Sequence, residues 1–175
     1  MTEQHLITRE IGIDAGHRVT FHGSKCRNLH GHRYTIQATC QGPLFTEGEQ
    51  TGMVLDFGFL KEEMVNQIDV PCDHGQIIWA GDHEVLGMFA YVNDSIDYAW
   101  VDDIAAIAER EGFAQTASPL GLKVYVVPFM PTAENLARHW FERLTPRVVG
   151  RSDGKATLLK VKVWETPNCS AEYPG

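Results

Sequence analysis

Two runs of alternating polarity constrain this chain more than any other feature: RYTIQATC at 33–40 and ATLLKVKVWET at 156–166. Successive side chains of an extended segment point to opposite faces, so both runs read as half-buried strands. In the first, His32, Tyr34, Ile36 and Ala38 fall on one face. Residues 5–15 alternate less strictly and also read as a strand, as does LKVYVVPF at 122–129. QGPLFTEGEQTG at 41–52 carries the turn residues of a hairpin connection. A helix is expected over 57–68, with Asp56 capping its first amides and Pro71 ending it. PTAENLARHWFERL reads as a helix opened by Thr132 as cap, with Asn135 at its third position and Glu134 in its first turn. Residues 77–118 read as mainly helical, most clearly in VDDIAAIAER within a helix near 99–111. The expectation is an α+β domain: four or more strands in an antiparallel sheet, with helices on one face.

At 175 residues the chain fits one domain with a substantial core. Its 15 Lys and Arg against 23 Asp and Glu give a formal charge of −8. That balance argues against nucleic-acid binding, which needs a basic surface to displace counterions. It leaves room for an anionic metabolite at a locally positive site, for which Lys25, Arg27 and Arg33 are candidates. No apolar stretch approaches the length of a membrane span, and MTEQHLITRE lacks the basic-then-apolar order of a secretory leader. Cys26, Cys40, Cys72 and Cys169 are irregularly spaced and too few for a disulfide scaffold. A cytoplasmic location is expected.

His30-Gly31-His32 is the first site to explain. On a strand, positions two apart share a face at about 7 Å, and twist or rotamer choice lets two imidazoles converge on one ion. His17 closes the preceding strand, and an adjacent strand would bring it opposite the pair. Three neutral nitrogens and one open position are the usual catalytic zinc site. The competing reading is a turn with two hydrogen-bonded surface histidines. His5, His22 and His83 lack a comparable constellation, and His139 is expected at a helix surface. Cys26, in a polar loop four residues before His30, is a candidate general base or nucleophile; a small apolar filler and a fourth metal ligand are the alternatives. Asp73-His74 is a candidate proton relay, a carboxylate steadying an imidazole. Glu165, at the end of an apolar alternating strand, can accept two hydrogen bonds from an amidine-like ring edge or simply mark the strand's exit into solvent.

Together these pieces resemble the 6-pyruvoyltetrahydropterin synthase and 6-carboxytetrahydropterin synthase family. The resemblance rests on His17, CRNLHGH at 26–32, GMVLDFGFLK at 52–61, DH at 73–74, PTAENLA at 131–137 and the WET that contains Glu165, in that order. It covers about 5–75 and 120–173. It implies a T-fold (tunnelling fold) in which sheets from several subunits form an oligomeric β-barrel, usually a homohexamer with intersubunit active sites. It implies Zn2+ on His17, His30 and His32, Cys26 as catalytic thiol, and Asp73 with His74 as the proton-relay pair. Glu165, helped by Thr166, is then the pterin anchor, with Thr132 nearby, while Asp56 is structural. The substrate implied is 7,8-dihydroneopterin triphosphate.

Three residues separate Cys26 from HGH, as in the bacterial 6-carboxytetrahydropterin synthases. The resemblance therefore favours 6-carboxy-5,6,7,8-tetrahydropterin, acetaldehyde and triphosphate as products, on the way to 7-deazapurines such as queuosine. A pyruvoyl-forming synthase is the rival enzyme, and a noncatalytic pterin- or metal-binding oligomer the alternative of another class. Residues 76–121 depart from the family pattern as a long helical insertion in a single 1–175 domain, and Gly75 follows DH where a bulky residue is common.

Overall fold

Tyr34, Ile36, Ala38 and Cys40 are all fully buried, while Arg33 is exposed and Thr35, Gln37 and Thr39 are half-buried, as the alternation requires. The computed structural model describes residues 3–175. Its strands are β1 (His5–His17), β2 (His30–Gly42), β3 (Gly75–Trp79), β4 (Tyr91–Val92), β5 (Ser95–Ile96), β6 (Ala114–Ala117), β7 (Lys123–Val127), β8 (Thr157–Thr166) and β9 (Cys169–Tyr173). Its main helices are α1 (Phe57–Met64), α2 (His83–Phe89), α3 (Tyr98–Glu111) and α4 (Ala133–Arg151). The chain forms two compact units, one of Tyr34–Val70 and Leu136–Gly175 with the residues up to Gly12, the other of Ile13–Arg33 and Pro71–Asn135.

In the first unit the strand order is β1-β2-β8-β9. β8 is antiparallel to both β2 and β9. Thr39 faces Lys160 but Cys40 faces Leu158, so Leu159 is an extra residue that lets Leu158, Val161 and Val163 all reach the buried face. Burial pushes the Cys40 thiol up to about 12, consistent with an inert packing role. Asp56 caps α1, accepting from the amides of Gly58 (2.6 Å) and Phe59 (3.2 Å). After α1 the helical run continues beyond 68 through a π-helical stretch, Val65–Asp69, and a last turn, Val70–Cys72, and ends one residue past Pro71, before Asp73. In α4, Leu136, Trp140, Leu144 and Val148 recur at four-residue spacing and are fully buried. His139 lies on that same side and is 6% exposed, which corrects the surface position expected of it.

In the second unit the order is β6-β7-β3-β1-β2. Here the antiparallel expectation fails twice: β3 runs parallel to β1 and to β7. Parallel neighbours need a long crossover, and residues 80–122 supply one between β3 and β7. The 76–121 stretch is less helical than expected. Besides α2 and α3 it contains most of β3, the β4–β5 hairpin and β6. The hairpin turns through Asn93 and Asp94, both at positive φ (50° and 61°), where these residue types are tolerated. α3 ends on Gly112 at φ 84°, the left-handed stop a glycine allows. Val85, Leu86, Val101, Ile104, Ala108 and Val124 belong to this unit's core cluster.

His139 provides a stability test. Burial first, and then the Arg143 charge, lower its pKa from 6.5 to about 3. The unfolded chain therefore takes up a proton below pH 6.5 that the native chain refuses. The stabilisation is complete above that pH and is lost as pH falls towards 3. His139→Phe should flatten the acid limb of stability in this window, read as the urea midpoint at stepped pH; an unchanged slope would refute the assignment.

Candidate metal centre

β1 ends on His17 and β2 opens with His30 and His32. The two strands bring the three rings together, with centroids 4.6 Å apart for His17–His30, 5.2 Å for His17–His32 and 4.9 Å for His30–His32. One ring nitrogen from each lies within 4.8 Å of the others. His17 is buried and the other two are half-buried. His17 Nδ1 is 2.7 Å from the Pro131 carbonyl, and His30 Nδ1 is 2.7 Å from the Asn28 carbonyl. A carbonyl oxygen only accepts, so Nδ1 carries the proton in both rings and Nε2 keeps the lone pair. Neutral imidazoles whose second nitrogen is held by a backbone carbonyl are what a zinc site uses to fix tautomer and direction. The donor set fits zinc on chemical grounds.

Asp73 and His74 sit at the start of β3 and are held against β1 by main-chain bonds. The Asp14 amide donates to Asp73 Oδ1 (2.8 Å), and the His74 amide donates to the Asp14 carbonyl (2.7 Å). His74 Nδ1 lies 2.7 Å from Asp73 Oδ2. His74 adopts φ 55°, a left-handed conformation uncommon outside glycine and a frequent mark of functional positions. Desolvation pushes the Asp73 carboxyl up, but the Asp14 amide, the His74 bond and the His74 and Lys123 charges outweigh it, leaving its pKa below the usual carboxylate range. An ionised Asp73 accepting from Nδ1 leaves His74 Nε2 as the basic nitrogen.

A cavity of about 670 Å³ opens beside these groups, lined by His30, His32, His74, Arg33, Gln76 and Phe89 among others. The structure thus gathers the HGH pair and His74 around one space. Cys26, Asp73 and Thr132 do not line it. Cys26 lies in the helical turn Lys25–Arg27, is half-buried, and its carbonyl accepts from the Val19 amide at 2.8 Å. Thr132 precedes α4, its hydroxyl 3.4 Å from the Asn135 amide, so its capping role is weak. Pro131, its neighbour, makes the tighter contribution by holding His17. Glu165 and Thr166 belong to the other unit, half-buried at the end of β8, with the Thr166 hydroxyl donating to Asn168 Oδ1 at 2.9 Å. Arg33 pairs with Asp14 at 2.5 Å.

Sequence reasoning missed Asp82. Its carboxylate, 3% exposed, takes Arg18 Nε at 2.5 Å and Nη2 at 2.7 Å, the Thr20 hydroxyl at 2.8 Å and the Val85 amide at 3.2 Å. It caps α2 while fastening the chain just beyond His17. Burial raises its pKa, but the Arg18, Thr20 and Val85 bonds overcome that and the net shift is downward. The Asp82 bond foremost, with the Glu84 bond and the charges of both carboxylates, outweighs burial and raises that of Arg18 in turn. The legible signal was only an Asp before a helical pattern; its partners are 62 and 64 residues away.

The 6-pyruvoyl tetrahydropterin synthase family profile matches residues 6–175, so the chain belongs to that family of tetrahydropterin synthases. It is 33% identical to the 6-carboxy-5,6,7,8-tetrahydropterin synthase of Rickettsia bellii over 94% of this chain and 96% of that protein. It is 32% identical to the Haemophilus influenzae protein of the same name, over 95% and 96%. Among solved structures, an uncharacterised Wolinella succinogenes protein aligns over 98% of both chains with a TM-score of 0.66 at 22% identity. The Caenorhabditis elegans 6-pyruvoyl tetrahydropterin synthase aligns over 99% and 97% at 0.58 and 21%. The fold is the T-fold of these enzymes, an α/β structure with an antiparallel-rich sheet.

Purified protein should carry one zinc per chain by mass spectrometry, and His30→Ala or His32→Ala should leave it substoichiometric. Full zinc retained in both variants would refute the centre. Asp82→Ala leaves Arg18 only the exposed Glu84 as partner and uncaps α2, and should lower unfolding free energy by about 2 kcal/mol, measured by chemical denaturation.

Proposed function

We propose that this chain is a zinc-dependent 6-carboxy-5,6,7,8-tetrahydropterin synthase, a lyase converting 7,8-dihydroneopterin triphosphate and water to 6-carboxytetrahydropterin, acetaldehyde and triphosphate. The observation that carries the reading is one cavity bordered by two members of the histidine triad and by His74, itself paired with Asp73. The names of the relatives at 32–33% identity over nearly the whole chain support the same reaction.

His17, His30 and His32 would hold Zn2+, which supplies acidification of a substrate hydroxyl. The chain's own residues do the rest. Substrate enters the cavity with its polyol side chain towards the triad. His74 Nε2 accepts a proton from that side chain, and Asp73 holds the ring and stabilises the resulting imidazolium. Cys26 is the second proton carrier, returning or abstracting a proton at the neighbouring carbon as triphosphate leaves. Glu165 accepts from the 2-amino and ring N–H edge of the pterin, with Thr166 beside it, and Thr132 lies near the ring. The protein works as a homohexameric β-barrel with active sites between subunits, in the cytoplasm, feeding 7-deazapurine (queuosine) synthesis. Among the described residues no helix is long and apolar enough to cross a membrane.

The deciding experiment is mass-resolved product analysis of the zinc-loaded protein on 7,8-dihydroneopterin triphosphate, beside Cys26→Ala and His74→Gln. Acetaldehyde and carboxytetrahydropterin are expected, with each variant reduced by about 100-fold or more in kcat. Pyruvoyltetrahydropterin as the product would assign the rival reaction, and pterin binding without turnover a noncatalytic role.

A further inference from the structure

Gln76 borders the same cavity but belongs to none of the roles above. Its backbone is paired on both sides, opposite Gly16 in β1 and Val124 in β7, so the strand needs nothing from the side chain. Three other polar side chains at the cavity each have a partner through one nitrogen. Arg33 is held by Asp14, His74 by Asp73, and His30 by the Asn28 carbonyl. The Gln76 carboxamide makes no hydrogen bond within the protein among the described residues and keeps both its donor and its acceptor.

The place it occupies is cleared by a glycine. A Cβ built on Gly16 would fall 2.2 Å from Gln76 Oε1, 2.4 Å from Nε2 and 2.5 Å from Cδ. The carboxamide therefore lies across the backbone of Gly16, the residue immediately before the ligand His17. No left-handed dihedral demands glycine there, since Gly16 is not among the residues with positive φ. What the position needs is room for an amide. A group that presents a donor and an acceptor together, half-buried beside the histidine triad, matches a hydroxyl or the carbonyl it becomes.

We infer that Gln76 is a substrate-contacting specificity residue, its carboxamide hydrogen-bonding the hydroxyl and carbonyl oxygens of the substrate's side chain, and that Gly16 exists to seat it. This rests on the pterin reading above. Loss of one neutral hydrogen bond made in both ground and transition states should appear in KM rather than kcat.

The test compares the zinc-loaded hexamer or whatever assembly purifies, unsubstituted and as Gln76→Leu, Gln76→Glu and Gly16→Ala, with zinc content measured for each. Gln76→Leu is expected to raise KM about tenfold, with kcat within about twofold. Gln76→Glu keeps the shape but sets a carboxylate near a polyphosphate substrate and should lose more. Gly16→Ala should displace a flexible side-chain end without unfolding the chain and reproduce the KM effect. The Gly16→Ala, Gln76→Leu double variant should be no worse than Gln76→Leu alone, because both changes remove one interaction. Unchanged KM in Gln76→Leu overturns the inference while the function stands. So does loss of zinc together with activity in Gln76→Leu, which would make the residue structural. An unsubstituted protein that is inactive on 7,8-dihydroneopterin triphosphate overturns both readings.

Discussion

The hydrogen bond from His17 to the Pro131 carbonyl is the contact on which the site depends. It closes a 114-residue separation with a group that has only one possible role, because a carbonyl can accept and never donate. That asymmetry selects the tautomer of His17 and turns its other nitrogen towards His30 and His32. Placing an imidazole at the bottom of a buried strand end is otherwise a poor use of core volume. The Asn28 carbonyl repeats the device for His30 in the loop before β2. Two backbone oxygens, from segments far apart in sequence, thus specify the chemistry of a three-histidine cluster before any ion arrives.

A second layer of the same logic runs through carboxylates. Asp73 orients His74, Asp14 holds Arg33 at the cavity, and Asp82 gathers Arg18, Thr20 and the start of α2. Each carboxylate faces a cation or imidazole, and Asp73 and Asp82 also take one or more amides or hydroxyls. In a net-acidic chain these three charges fix the directions of the basic groups around them.

The strands were legible because their burial alternates, and the triad was legible because HGH continues that alternation to the end of β2. The helix at 99–111 was legible for the same kind of reason, a 3.6-residue spacing that emerges as Val101, Ile104, Ala105 and Ala108 on the buried side of α3. What escaped were features set by partners distant in the chain. The parallel pairing of β3 is decided by its crossover, not by its five residues. His139 was misjudged because its neighbours Leu136 and Trp140 define the buried side only once α4 is seen to continue to Arg151. Asp82 and Gln76 were passed over, both inside the 76–121 stretch read as a helical insertion, since neither signals its contacts locally. Cys26 and Glu165 were named from their chemistry and Thr166 from the family resemblance, and geometry within one chain adds little to that naming.

His74 stands at φ 55°, and its amide is tied to the main chain of Asp14 in β1. A clamp built from amide and carbonyl groups is blind to the identity of the side chain it hangs from. Sequence drift at position 14 can proceed through most residue types without releasing the imidazole, proline excepted, since it would remove the amide that Asp73 accepts. The hold on His74 is thus written in peptide geometry, where a comparison of residue letters would find nothing to count.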